Sequence, residues 1–281
     1  MWSNFHTHTF YCDGKGTPED YLRSATRVGL MSIGFSSHAP VPFPCQWCMK
    51  QEAFGDYLAA VESLKADFPE IEIHKGLEVD FIPRIVSPSD FRRQLDFTIG
   101  SIHFVDSFEG KYWEIDNTLA IFNEGLEKIF HNNVRAAISR YLELTREMVL
   151  TSPPDVVGHL DKIKIHNTPH PYFEESESWY REEVFRTLKT IKDANIIMEV
   201  NTRGLYKKKS STTYPSPWIL ERAHDLKIPV TLSSDAHHPD ELIHGFDSSA
   251  RLLQDIGFKN LSILKCGIWK QMPFNAYGID Q

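Results

Sequence analysis

The feature that most limits what this chain can fold into is an alternation of two residue patterns. Short apolar, β-branched runs near Asn4–Thr7, Ser32–Ser36, Ile71–Val79, Phe97–Ile102, Val156–His159, Ile196–Val200 and Val230–Ser233 read as strands. Helices fit between them at Glu52–Phe68, Leu119–Val149, Ser178–Ala194, Pro217–Leu226 and Asp240–Ile256. Another starts at Thr17-Pro18-Glu19-Asp20, an N-cap, a proline at the first helical position and acids in the first turn, and Gly29 stops it. Strands alternating with helices predict an α/β fold with parallel pairing. With no break in composition across 281 residues, the expectation is one barrel forming a single domain over residues 1–281. The long Leu119–Val149 helix and the turn-rich Asn167–Phe173 segment read as elaborations on it.

The charge balance narrows the function. A net charge of −8 argues against a nucleic-acid partner gripped by a broad basic face. No apolar run approaches the ~20 residues that span a bilayer. Met1–His6 lacks the basic flank and apolar core of a secretion signal. Four cysteines are too few for a disulfide framework in a chain of this length, so a cytoplasmic location is expected, with no membrane partner. Cys45-Gln46-Trp47-Cys48 has the spacing of half a zinc knuckle or a redox pair, but no second pair follows at zinc spacing, and among Pro40, Pro42 and Pro44 it reads as plain residues of an irregular loop.

Thirteen histidines carry the rest of the argument. In a strand, residues i and i+2 share a face, so His6 and His8 can bind one metal ion together. Asp235 and His237 repeat that spacing after the last strand. Between them Asp13 follows the first strand, His38 the second, Glu78 lies late in the third, and His103 and His159 follow the fourth and fifth. The carboxyl ends of barrel strands converge on one face, where active sites are built. Nitrogen and carboxylate donors without thiolate suit zinc, iron or manganese, and nine ligands imply two or three divalent ions. Such clusters polarise phosphoryl oxygens and generate hydroxide at neutral pH. Neither a Gly-rich phosphate loop nor a Gly-x-Ser-x-Gly elbow is present, which argues against kinase and serine-hydrolase chemistry.

His6-Thr7-His8-Thr9 with Cys12-Asp13-Gly14, then Ser37-His38, Gly76-Leu77-Glu78, Gly100-Ser101-Ile102-His103-Phe104, Gly158-His159-Leu160-Asp161 and Ser234-Asp235-Ala236-His237 together resemble the polymerase and histidinol phosphatase (PHP) superfamily. Their order and spacing look most like its histidinol-phosphate phosphatase branch. The resemblance implies a distorted (β/α)7, TIM-like barrel with a trinuclear metal centre. It implies that His6, His8, Glu78 and Asp235 hold one ion, that Glu78 bridges to a second completed by His103 and His159, and that Asp13, His38 and His237 hold a third. Many relatives have Asp where this chain has Asn4, which leaves an amide to orient an imidazole.

The resulting expectation is a phosphomonoesterase that releases phosphate from L-histidinol phosphate, with hydroxide from the metal centre attacking phosphorus in line. Its candidate catalytic carboxylates are Glu78, Asp235 and Asp161, the last as amine partner or proton donor to the leaving alkoxide. Arg203 is the leading contact for the phosphoryl group. Lys207, Lys164 and Ser101 are further substrate candidates, and Trp113, Glu114 and Asp116 candidate pocket walls. The rival readings are a broader phosphomonoesterase, a nucleotide phosphodiesterase, or a non-catalytic metal-binding module, which a complete ligand set disfavours.

Overall fold

Thr17 caps the first helix as its sequence requires. Its hydroxyl accepts from the Asp20 amide, the Asp20 carboxylate accepts from the Thr17 amide, and Gly29 ends the helix at φ 70°. The computed structural model describes residues 1–168 and 172–280. Seven strands pair in parallel and in chain order: β1 (Trp2–Asn4), β2 (Leu30–Phe35), β3 (Glu72–Asp80), β4 (Phe97–Ser101), β5 (Val156–Val157), β6 (Ile197–Asn201) and β7 (Val230–Ser233). Beyond its short first strand the chain runs on extended, and Thr7 bridges to Ala236 just past β7. The His8 amide donates to the Ala236 carbonyl (2.8 Å) and the Ala236 amide to that of His6 (3.1 Å). This nearly closed barrel bears out the α/β expectation.

Helices α1 (Pro18–Val28), α2 (Phe54–Ser63), α3 (Leu119–Phe130), α4 (Val134–Thr151), α5 (Ser178–Asp193), α6 (Arg203–Tyr206), α7 (Pro217–Asp225) and α8 (Phe246–Ile256) join the strands. Buried apolar side chains from strands and helices form one continuous core. Gly34 and Gly76 leave room for the ring of Phe97. A Cβ at either would come within 2.6 or 2.3 Å of that ring.

Several boundaries differ from expectation. The predicted Leu119–Val149 helix is two helices, because His131 and Asn132 turn left-handed (φ 50° and 61°) and Asn133 caps α4 by accepting from the Ala136 amide. The helix expected from Asp240 begins with a short 3₁₀ turn and restarts after Gly245 at φ 79°. A hairpin, Phe104–Phe108 with Lys111–Glu114, follows His103, and an antiparallel sheet of Asn260–Lys265, Ile268–Asn275 and Gly278–Ile279 ends the chain. Neither was expected. Of the Asn167–Phe173 segment, residues 169–171 lie outside the described residues. Among the described residues no helix is long and apolar enough to cross a membrane.

Candidate metal centre

Seven strand ends deliver their polar residues to one face. Glu78 sits at the middle, buried, with five imidazoles around it. Its Oε2 faces His6 Nε2 (3.1 Å), His8 Nε2 (3.4 Å) and His38 Nδ1 (3.0 Å). Its Oε1 faces His159 Nε2 (2.9 Å) and His103 Nε2 (3.6 Å). Asp235 Oδ1 lies 3.2 Å from His8 Nε2 and 3.8 Å from His6 Nε2. Asp13 Oδ1 lies 3.3 Å from His237 Nε2 and 3.8 Å from His38 Nε2. Ligand atoms gather in four overlapping groups, each within 4.8 Å: His6, His8 and Asp235; Glu78, His103 and His159; His8, Asp13, His38 and His237; and His38, Asp80 and His103.

The donor atoms fit metal ions. His6 Nε2, His8 Nε2, His38 Nδ1 and Asp13 Oδ1 are buried with no hydrogen-bond partner, a state that costs free energy unless a cation occupies the lone pairs. Partners behind the rings turn the correct nitrogens inward. His6 Nδ1 donates to Glu199 (2.5 Å), His103 Nδ1 to Asp80 (3.1 Å) and His237 Nδ1 to the Asp235 carbonyl (3.0 Å), which leaves each Nε2 for a ligand. Asp235 itself holds a left-handed backbone (φ 50°), strain of a kind concentrated at functional sites. The neighbouring Cys12 thiol is pushed up to about 12, by burial first and Asp13 second.

The electrostatics are mutual. Burial alone would raise Glu78, yet His6, His38 and His103 hold its carboxyl well below the ordinary range. Burial would likewise lower His6, but Glu199, Glu78 and Asp235 outweigh it and hold the imidazole well above its ordinary value. His8, buried beside His237, is lowered to about 4 and presents a neutral ring.

The profile of the PHP domain matches residues 4–203, more than half of the chain. The chain belongs to the PHP domain family. Among relatives, a Deinococcus radiodurans protein named "Probable histidinol-phosphatase" is 26% identical, covering 92% of this chain and 94% of that one. The histidinol-phosphatase of Bacillus subtilis is also 26% identical, over 86% and 96%. A histidinol phosphate phosphatase from Lactococcus lactis, solved with zinc, L-histidinol and phosphate, shares the fold with a TM-score of 0.72 at 21% identity. That match covers 100% of this chain and 99% of that one.

Within this PHP barrel, all nine expected ligands reach the cluster, while the expected substrate residues divide. Arg203 opens onto a cavity of about 200 Å³ above the cluster, with Trp47, Glu114, Asp116, Lys162, Lys209 and Tyr214 also in its walls. Its guanidinium donates to the Asp235 carbonyl (2.8 Å). Ser101 is not on the cavity: it is buried and donates to Glu78 Oε1 (2.6 Å), so it orients that carboxylate. Lys207 is taken by Glu241. Asp161 and Lys164 form a buried pair (2.7 Å), and Asp161 also accepts from the Ser216 amide (2.9 Å), so both point away from the cavity. Trp113 is fully buried against Gly125 and Phe122 and lines nothing. Among the described residues Asn4 makes no hydrogen bond to an imidazole. It accepts from the His6 amide and donates to Ser234 and the Leu242 carbonyl.

Several residues of the site went unnoticed in the sequence, Lys209 and Tyr214 at the cavity wall among them. Asp80 and Glu199 back His103 and His6, Asn201 donates to Glu199 and Asp235 (3.2 Å each), and Lys162 lies between Asp116 (3.6 Å) and Asp235 (3.9 Å). Polar residues at alternate positions of buried strands, Glu78-Val79-Asp80 and Glu199-Val200-Asn201, were the available signal.

Proposed function

We propose that this chain is a metal-dependent phosphomonoesterase that hydrolyses L-histidinol phosphate to L-histidinol and phosphate. The observation that carries the reading is Glu78, a single buried carboxylate whose two oxygens face separate sets of imidazoles, with Asp235 and Asp13 at the flanks. His6, His8 and Asp235 would hold one ion with Glu78, His103 and His159 a second, and Asp13, His38 and His237 a third. Zinc, iron and manganese all suit these donors. When bound, the ions supply Lewis acidity toward a phosphoryl oxygen and activate water at neutral pH.

The chain's own groups bind and orient. Lys162, buried, and Arg203 at the cavity wall provide positive charge beside Asp235, where a phosphate monoester brings close to two negative charges. Burial would lower the Lys162 ammonium, but Asp116 and Asp235 raise it, so the charge is retained. Glu114 and Asp116 face the cavity in place of Asp161, and they are the carboxylates for a cationic alcohol. A substrate carrying an amine and an imidazole matches that acidic wall. Residues 1–281 work in this reading as one phosphatase unit, sharing one core.

The test is a phosphate-release panel on protein whose metal content has been counted by mass spectrometry. Histidinol phosphate should be preferred over nucleotides, sugar phosphates and diesters. A flat monoester profile would leave only a general phosphomonoesterase, and turnover of diesters alone would replace the reading.

A further inference from the structure

Cys45 and Cys48 stand on the loop after β2, outside the chemistry above. Instead of the plain loop thiols expected from the sequence, they are joined as a disulfide. Between them lies Trp47, whose indole stacks on Phe104 (ring centroids 5.2 Å apart) and meets His38 at 4.5 Å and His103 at 5.3 Å. Its Nε1 donates to Glu114 (3.0 Å), so the same ring touches two metal-ligand candidates and one wall of the cavity. A bridge closed over two intervening residues restricts little of the unfolded chain, so its main effect is local. That local effect falls on the backbone that aims Trp47. Cys48 is buried and Cys45 only half-buried, so the bond meets a dissolved thiol from the Cys45 side, while Cys12 and Cys266 are free.

We propose that Cys45 and Cys48 form a reversible thiol–disulfide site that fixes Trp47 against the cavity and thereby sets how tightly substrate is held. In the oxidising direction one thiolate attacks an external disulfide and expels one thiol. The second thiolate then attacks the mixed disulfide and expels the other, so two cysteine thiols are oxidised and one external disulfide is reduced to two thiols. Two external thiols reverse both steps. The consequence for substrate rests on the phosphatase reading; the thiol chemistry and the placement of Trp47 do not.

The experiment equilibrates the full-length, metal-loaded protein in mixtures of reduced and oxidised glutathione. Each sample is quenched with an alkylating reagent, and the peptide holding both cysteines is weighed. Tryptophan emission is read in parallel for wild type and Trp47→Phe, and histidinol phosphate kinetics for wild type and the Cys45→Ser/Cys48→Ser variant. The peptide should take up two labels when reduced and none when oxidised, with an emission change that Trp47→Phe abolishes. KM should be about three- to tenfold higher in the reduced form with kcat changed by less than about twofold, the pattern of lost uniform binding. The double-serine variant should match the reduced form in every mixture, which also corrects for metal withdrawal by glutathione. A bond that survives fully reduced glutathione overturns the proposal, and so does a labelling transition that leaves emission and KM unmoved. If neither form hydrolyses any monoester, the phosphatase reading fails, and emission that follows or ignores the labelling decides this inference alone.

Discussion

Replacing Glu78 by glutamine keeps the shape of the side chain and removes its charge. Both oxygens are engaged, one toward His6, His8 and His38 and the other toward His103 and His159, all within 3.6 Å. The amide keeps one oxygen, so one set of imidazoles faces an NH₂ group with no lone pair for a cation. Removing one partner from a buried charged network costs about 3–5 kcal/mol. At 1.36 kcal/mol per decade that is about 10²- to 10⁴-fold in affinity for the ion on the amide side. Phosphate release should fall at least about a hundredfold even with metal supplied. Glu78→Asp keeps the charge but, one methylene shorter, reaches only one set, and should fall between the two. Metal content after chelator competition, counted by mass spectrometry, is read beside phosphate release. Full occupancy at wild-type affinity with turnover within about tenfold would refute the bridging role.

Arg203→Ala should lower kcat/KM by about 2–4 kcal/mol, and lysine should restore only part because it lacks the planar fork; unchanged kinetics with full metal content would move the phosphate contact to Lys162. Glu199→Gln should weaken metal retention about 10- to 100-fold through His6, measured by chelator competition, and unaltered retention would remove Glu199 from the support of that ring. Asp161→Asn should lower stability by about 3 kcal/mol, because Lys164 loses its buried counter-charge, and should affect histidinol phosphate and p-nitrophenyl phosphate alike. A loss confined to histidinol phosphate in that variant would restore Asp161 to the substrate. Although burial favours its neutral form, the metal-free protein holds a proton on His6 above the ordinary pKa because Glu199, Glu78 and Asp235 surround it, and an incoming cation must displace that proton. Metal affinity should therefore rise with pH up to that raised pKa and weaken as pH falls; calorimetry in buffers of different ionisation heat should register proton release, and identical heats would contradict it.

The strand ends were readable because a barrel converts a one-dimensional rule, polar residues just past apolar runs, into convergence on one face. What lay behind the ligand candidates was harder to read, because alternation puts Asp80 on the face of Glu78 and Glu199 on that of Asn201 but one strand cannot show which imidazole of another strand each will back. Lys162 was lost to Asp161 for a related reason. The chain leaves β5 after only two residues and enters a 3₁₀ turn, so strand alternation no longer predicts which side chain faces the site. The break between α3 and α4 sits inside an unbroken apolar periodicity, with His131-Asn132-Asn133 as its only mark. At the C-terminus, Cys266-Gly267, both at positive φ, joins two strands as a tight hairpin, and only the glycine announces it.

The bridge between Thr7 and Ala236 has a consequence for how the protein is made. Asn4 and its hydrogen-bond partner Ser234 are 230 residues apart, and His6 and His8 stand beside that seam. At a ribosomal rate of about 5–20 residues per second, roughly 10–50 s separate the synthesis of the first two ligands from that of the last two. Throughout that interval Asp235 and His237 are not yet available to His6 and His8. The cluster of ligand candidates is thus complete only once Asp235 and His237 have been made.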